Sequence, residues 1–232
     1  EDYNPHLMNN TKNTPLKILV LGSTGSGKSS FCNSLIADSE RKTFIESEKI
    51  SSFTSQTTSK KVTWFDKKGE FTLIDTPGMN DSESNDTFHI DGLVDHLKTS
   101  VVTLNAFVLI LNGANPRLDE PIKAMLLSFS EMFSKDFLKQ TIIIFTRWPF
   151  DKNEKARREA NGDSEELRTK EINQKIGELI KFDTESFPIQ CFFLCNSYNR
   201  PEIIENSSKE ELKEFKQRLK RIKKTVVNFP VY

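Results

Sequence analysis

Short apolar runs alternate with longer amphipathic stretches along most of the chain. Leu16 to Leu21 (LKILVL) is an aliphatic run that stops at Gly22, which predicts a buried strand. Lys28 to Ile36 reads as a helix. Val62–Phe65 and Phe71–Asp75 read as two strands joined by the Lys/Gly turn DKKGE, a hairpin. The pattern then predicts a helix over Thr87 to Thr99 and a fully buried strand over Asn105 to Leu111. A helix over Leu118 to Phe133 follows, with apolar residues at 122, 125, 126, 129 and 133. Thr141 to Phe145 (TIIIF) and Ile189 to Leu194 (IQCFFL) are two more buried strands, separated by a charged helical stretch from 154 to 182. The last helix starts at a capping box, Ser208 with Glu211, and carries Leu212, Phe215, Leu219 and Ile222 at three- and four-residue spacing. Strands buried on both faces and alternating with helices predict a mainly parallel sheet with one antiparallel edge strand, hence a three-layer α/β domain.

The organisation follows from that pattern. Residues 1–14 are polar and without periodicity, an expected flexible arm; 15–205 form the domain; 206–232 form an amphipathic helix and tail docked on it. A chain of 232 residues fits one large domain. Its 33 basic and 33 acidic side chains cancel, and without a basic excess no nucleic-acid partner is expected. The apolar runs fall far short of the ~20 residues a membrane helix needs. Cys32, Cys191 and Cys195 lack metal-ligand spacing, which points to a reducing, cytoplasmic setting. The basic last turn KRIKK reads as a solvated helix end or as a contact for anionic lipid at an intracellular membrane.

The chemistry is concentrated after the first strand. Gly22-Ser23-Thr24-Gly25-Ser26-Gly27-Lys28-Ser29 fits G-x-x-x-x-G-K-[ST], directly after a strand and opening a helix. Glycines let the backbone wrap so that successive N–H groups converge on a β-phosphate, and the helix start adds roughly half a positive charge. Lys28 reaches the β- and γ-oxygens, Ser29 offers its hydroxyl to Mg2+, and Ser30 follows in the same helical turn. This is a site for a nucleoside triphosphate or diphosphate. At the end of a later strand stands Asp75-Thr76-Pro77-Gly78. Asp75 there can hold Mg2+ through a water, and the Gly78 N–H can meet a γ-phosphate. P-loop ATPases more often carry an acidic pair at this strand end, so DTPG points to GTP.

GSTGSGKS, DTPG and an FTR segment after a buried strand together resemble the septin-like GTPases of the AIG1/GIMAP type, in the TRAFAC class. Residues 104–147 also resemble that family's box: a strand, a short Arg-containing loop with acidic residues, a helix, then the FTR strand. The resemblance covers roughly residues 15 to 200 and implies a P-loop NTPase G domain. It implies GTP/GDP with Mg2+, GTP hydrolysis, and switching through a GTP-dependent homodimer or oligomer. Carried over by residue, it makes Thr57 the switch threonine that ligates Mg2+, with Thr58 next, and places Ser47 near the nucleotide. Thr146 and Arg147 belong to the base side, with the Arg147 stem along one face of the base. Trp148 stacks there too or packs in the core. Asn196 in LCNSYN is the second base-side signal or a plain turn residue.

Two departures bear on activity. The family's TRxD spacing is stretched here to Thr146-Arg147-Trp148-Pro149-Phe150-Asp151. Asp151 either reads guanine, accepting from N1–H and the exocyclic amine at ~1.5–3 kcal/mol each, or is a loop carboxylate. Met79 stands where Ras-like enzymes carry a water-orienting Gln, and it can neither donate nor accept usefully. Turnover by a single copy is then expected to be slow. Arg117 in NPRLDE matches the family's box Arg and is either an arginine finger across a dimer or a surface residue paired with Asp119 or Glu120. Lys28, Thr57, Gly78 and Arg117 are thus the catalytic candidates. The competing readings are a hydrolysis-deficient GTP-bound scaffold and an ATP-dependent P-loop enzyme.

Overall fold

The computed structural model describes residues 16–37, 44, 58–76 and 104–230. The expectations placed on the arm, Ser47, Thr57, Gly78, Met79 and the 87–99 helix lie outside these residues. The described strands are β1 (Lys17–Gly22), β2 (Thr58–Thr63), β3 (Glu70–Asp75), β4 (Ala106–Asn112), β5 (Thr141–Thr146) and β6 (Gln190–Phe193). The helices are α1 (Lys28–Leu35), α2 (Glu120–Met132), α3 (Lys152–Ala160), α4 (Glu165–Ile180), α5 (Pro201–Asn206) and α6 (Lys209–Val227). Single 3-10 turns occupy Lys135–Gln140 and Asn196–Asn199.

One sheet holds all six strands in the order β2-β3-β1-β4-β5-β6. Among the described strands only β2 runs antiparallel, as the edge partner of β3, so the three-layer P-loop reading of the pattern holds. The chain moves one way from β1 to β3, then crosses back to β4 and continues the other way through β5 to β6. Right-handed crossovers therefore put α1 and α2 on opposite faces. A crevice opens between the C-terminal ends of β1 and β4, where ligands of such sheets bind.

The interior explains the buried runs. β1, β4 and β5 are almost wholly buried, and Phe107, Phe129, Phe133 and Phe137 meet edge to face beneath α2. Trp64 stacks on Phe71 at 3.9 Å under the hairpin. That hairpin pairs earlier than its pattern suggests, from Thr58 to Thr63, because Trp64 leaves the ladder to bridge Ile36 while Lys67 turns at φ 58°. β2 exposes Ser59, Lys60 and Lys61 on the sheet edge, and Lys61 pairs with Glu70 at 2.6 Å.

The charged 154–182 stretch is two helices rather than one. Gly162 turns at φ 65°, and Ser164 caps the second helix by accepting from the Leu167 N–H. α6 has the predicted capping box and sets Phe215, Leu219, Ile222 and Val226 into the same core. Lys223 on this helix reaches Asp66 in the hairpin turn at 2.7 Å. Among the described residues no helix is long and apolar enough to cross a membrane.

Candidate functional site

The loop from β1 to α1 sits at the β1/β4 crevice, and its shape follows from its glycines. A Cβ on Gly22 would lie 2.6 Å from the Ile110 carbonyl, so only glycine lets the loop leave β1 this close to β4. Gly27 takes a left-handed conformation, φ 95°, at the start of α1 and contributes no side-chain cap. Uncapped N–H groups of the first turn are what an anion needs at a helix start. Inside the loop, Ser26 N–H and Lys28 Nζ both donate to the Ser23 carbonyl, each at 3.1 Å. Lys28 is buried, Ser29 and Ser30 are half-buried in the first turn of α1, and Thr24 and Gly25 form the outer rim.

Behind the loop stands an oxygen pair. Ser29 Oγ donates to Asp75 Oδ2 at 3.1 Å, while Asp75 Oδ1 is buried and meets no donor. Burial pushes the Asp75 carboxyl above its ordinary range, opposed by the Lys28 charge, the Ser29 hydroxyl and the Thr76 N–H. A hydroxyl beside a carboxylate with an orphaned oxygen is the hard-oxygen donor set that Mg2+ takes, so the residues fit that ion. Thr58, at the start of β2, lies opposite Asp75 in the ladder.

The side expected to face the base is built from the ends of β5 and β6. Thr146 Oγ1 donates to the Ser26 carbonyl at 2.6 Å. Arg147 turns at φ 53° and donates from Nη2 to the Gly25 carbonyl at 3.0 Å, while Asn196 Nδ2 donates to the Gly27 carbonyl at 3.4 Å. These three predicted residues therefore converge on the phosphate loop. Asn196 Oδ1 is buried without a donor, the state of a group set to accept from a ligand.

The two extra residues before Asp151 go inward. Trp148 is buried against Phe193, with the Arg158 guanidinium 4.4 Å from its ring, so of its two readings the structure takes the core one. Phe150 is stacked on Tyr198 at 5.4 Å and covered by the Arg218 guanidinium at 4.7 Å. Asp151 ends this buried strap as the cap of α3, its Oδ1 accepting from the Glu154 N–H at 3.0 Å. That is the place of a loop carboxylate, and no contact joins it to the phosphate loop among the bonds of the described residues.

Arg117 is exposed and donates to Asn115 Oδ1 at 3.2 Å, not to either acidic neighbour. Asp119 instead accepts from Ser23 Oγ at 2.6 Å, and Glu120 pairs with Lys123. The pattern did not reveal the Ser23–Asp119 contact or the Tyr198–Phe150 stack. Asp119 as a cap is signalled by Asp-Glu-Pro at a helix start, but nothing local marks Tyr198. Burial pushes the Cys191 thiol up to about 12, so it stays a protonated core group.

Comparison with known proteins agrees with this geometry. Toc33 of Arabidopsis thaliana, solved with GDP and Mg2+, superposes with a TM-score of 0.61 at 19% identity, over 92% of this chain and 83% of that one. The same protein with Mg2+ and GMPPNP gives 0.61 at 19%, over 92% and 85%. LeoA, a bacterial dynamin GTPase from ETEC, gives 0.52 at 14%, over 93% of this chain and 40% of its own. At these identities the likeness speaks for the fold, that of a P-loop G domain. The profile of the AIG1 family matches residues 16–182, well over half of the chain, and the protein belongs to that family of GTPases.

Proposed function

We propose that the protein binds GTP and GDP with Mg2+ and hydrolyses GTP slowly as a single copy, with faster turnover when two copies meet across their nucleotide faces. The observation that carries this reading is the uncapped α1 start behind Gly27, with Lys28 inside the loop and the Ser29–Asp75 pair behind it. Loop N–H groups would hold the β-phosphate, and Lys28 would place its charge on the β- and γ-oxygens. Ser29, Asp75 and Thr57 would hold Mg2+, which would supply neutralisation of charge on the phosphates. Gly78 would meet the γ-phosphate, and Arg117 of a second copy would supply charge to the transition state, the arginine-finger role. Exposure of Arg117 without an acidic partner among the described residues supports that assignment.

Neighbouring structures support the dimer reading. Toc33 has been solved as a dimerization-deficient arginine-to-alanine mutant (TM-score 0.61, 17% identity). A further structure reports that dimerization is important for the GTPase activity of the chloroplast translocon components atToc33 and psToc159 (TM-score 0.62, 17% identity). On the base side, Thr146, Arg147 and Asn196 would surround the guanine. Asp151 caps α3 through Oδ1, and bidentate reading of guanine by both its oxygens would compete with that cap, worth about 1 kcal/mol.

Displacement of a fluorescent guanine nucleotide by GDP, GTP, ADP and ATP, with and without Mg2+, tests the reading. GDP is expected to compete at least about a hundredfold better than ADP, as two charge-assisted bonds allow. Equal competition sinks the guanine assignment. Retention of the preference in Asp151→Ala moves it to Asn196 and the backbone. Turnover that does not rise with protein concentration leaves the hydrolysis-deficient scaffold in place of the switch.

A further inference from the structure

We propose that Asp119 is a positioning residue that fastens the Arg117 loop to the phosphate loop, so that nucleotide binding sets the shape of the surface offered to a second copy. The two loops leave the sheet on either side of the β1/β4 crevice, Ser23 after β1 and residues 113–119 after β4. The second loop is pinned at both ends. At its start, Gly113 N–H donates to the Thr146 carbonyl at 2.8 Å, and Thr146 in turn holds the Ser26 carbonyl. At its end, Asp119 uses both oxygens: Oδ1 caps α2 through the Ile122 N–H at 3.1 Å, and Oδ2 takes the Ser23 hydroxyl at 2.6 Å.

Capping needs only one acceptor, which Ser, Thr or Asn would supply equally well. The second oxygen, with its charge, makes a short charge-assisted bond to the phosphate loop. Its partner is the residue whose carbonyl accepts from Lys28 Nζ. When Lys28 turns to a phosphate, Ser23 loses that donor, and the change passes through one hydroxyl to Asp119. Between the pins, Ala114 and Asn115 N–H groups bond to Asn112, and Arg117 bonds to Asn115. Arg117 therefore sits on a braced loop whose two anchors both belong to the nucleotide frame.

The turnover arm of the test rests on the Arg117 reading; the exchange arm does not. Asp119→Ser keeps a cap but cannot reach Ser23, Asp119→Asn keeps both contacts, and Asp119→Ala loses both. In wild-type protein, GDP is expected to slow hydrogen exchange at amides 113–118; Asp119→Ser should lose that slowing while binding GDP within about twofold of wild type, as for a site with no ligand contact. The rise of turnover with protein concentration should fall about tenfold in Asp119→Ser and largely return in Asp119→Asn, the scale of effect a misplaced charged group has. Ser23→Ala added to Asp119→Ser should remove no further exchange protection. If Asp119→Ser retains the GDP-dependent protection, Asp119 is a cap alone and the proposal is wrong. If Arg117→Ala leaves turnover unchanged, the finger reading fails, and exchange alone decides the coupling.

Discussion

The phosphate side and the base side of the crevice are held by different means. On the phosphate side the N–H groups come from one stretch, Gly22 to Ser29, whose glycine conformations and helix start are its own. On the base side the strap 147–151 has almost no support of its own. It is held by Tyr198 from the 196–199 turn, by Arg158 of α3 and by Arg218 of α6, which also bonds to the Phe193 carbonyl and pairs with Glu165 and Glu214. The phosphate loop shapes its own N–H groups and is braced from outside at three carbonyls by Thr146, Arg147 and Asn196, whereas the strap on the expected base side takes its shape from the packing of the C-terminal third. A change that loosens α6 should disturb which base is bound before it disturbs whether a diphosphate is bound.

The largest expected effect comes from removing the ring at the centre of the strap. Phe150→Ala should lower unfolding free energy by about 3–5 kcal/mol in urea titration, the usual range for a buried Phe. In the folded fraction it should reduce the preference for GDP over ADP more than it reduces inorganic pyrophosphate binding. Equal loss of both would erase the distinction between the two sides. Lys28→Ala should do the reverse, weakening GDP and ADP alike by about tenfold to a hundredfold through lost charge-assisted bonds, with little change in melting temperature.

The smallest effect concerns the attachment of α6. Burial works to raise the carboxyls of Asp66 and Glu214, but hydrogen bonds and charge from Lys223 and the Lys68 N–H, and from Lys155 and Arg218, outweigh it and hold both below their ordinary range. A folded-state value below the unfolded one stabilises the protein above pH ~4 and is lost as pH falls through the depressed values. Lys223→Ala should therefore reduce stability by about 0.5–1 kcal/mol at pH 7 and flatten the acid limb below pH 4 in denaturant titrations. An unchanged acid limb would show that α6 is held by its apolar face alone.

Legibility in the sequence followed the same division. TIIIF and NAFVLIL declare strands because both faces are buried, and GSTGSGKS declares its site because the chemistry lies in consecutive residues. The helix break at Gly162-Asp163-Ser164 carried a stop and a cap that the charge pattern obscured. Thr146 to Ser26 and Phe150 to Tyr198 span 120 and 48 positions, and no periodicity connects residues so far apart. The two-residue stretch before Asp151 was visible as a departure, but not its reason. Trp148 and Phe150 are core residues, and burying both carries Asp151 to the start of α3.

The outer strand of the hairpin bears on how copies can associate. Among the described residues β2 is the outermost strand on its side of the sheet, a position where an extended segment can come alongside. β2 guards that edge with consecutive lysines, Lys60 and Lys61. Two such edges brought together would set the lysines of one copy against those of the other, a like-charge contact that the Lys61–Glu70 pair offsets only in part. Growth by continuing the sheet from molecule to molecule is thereby discouraged at this border.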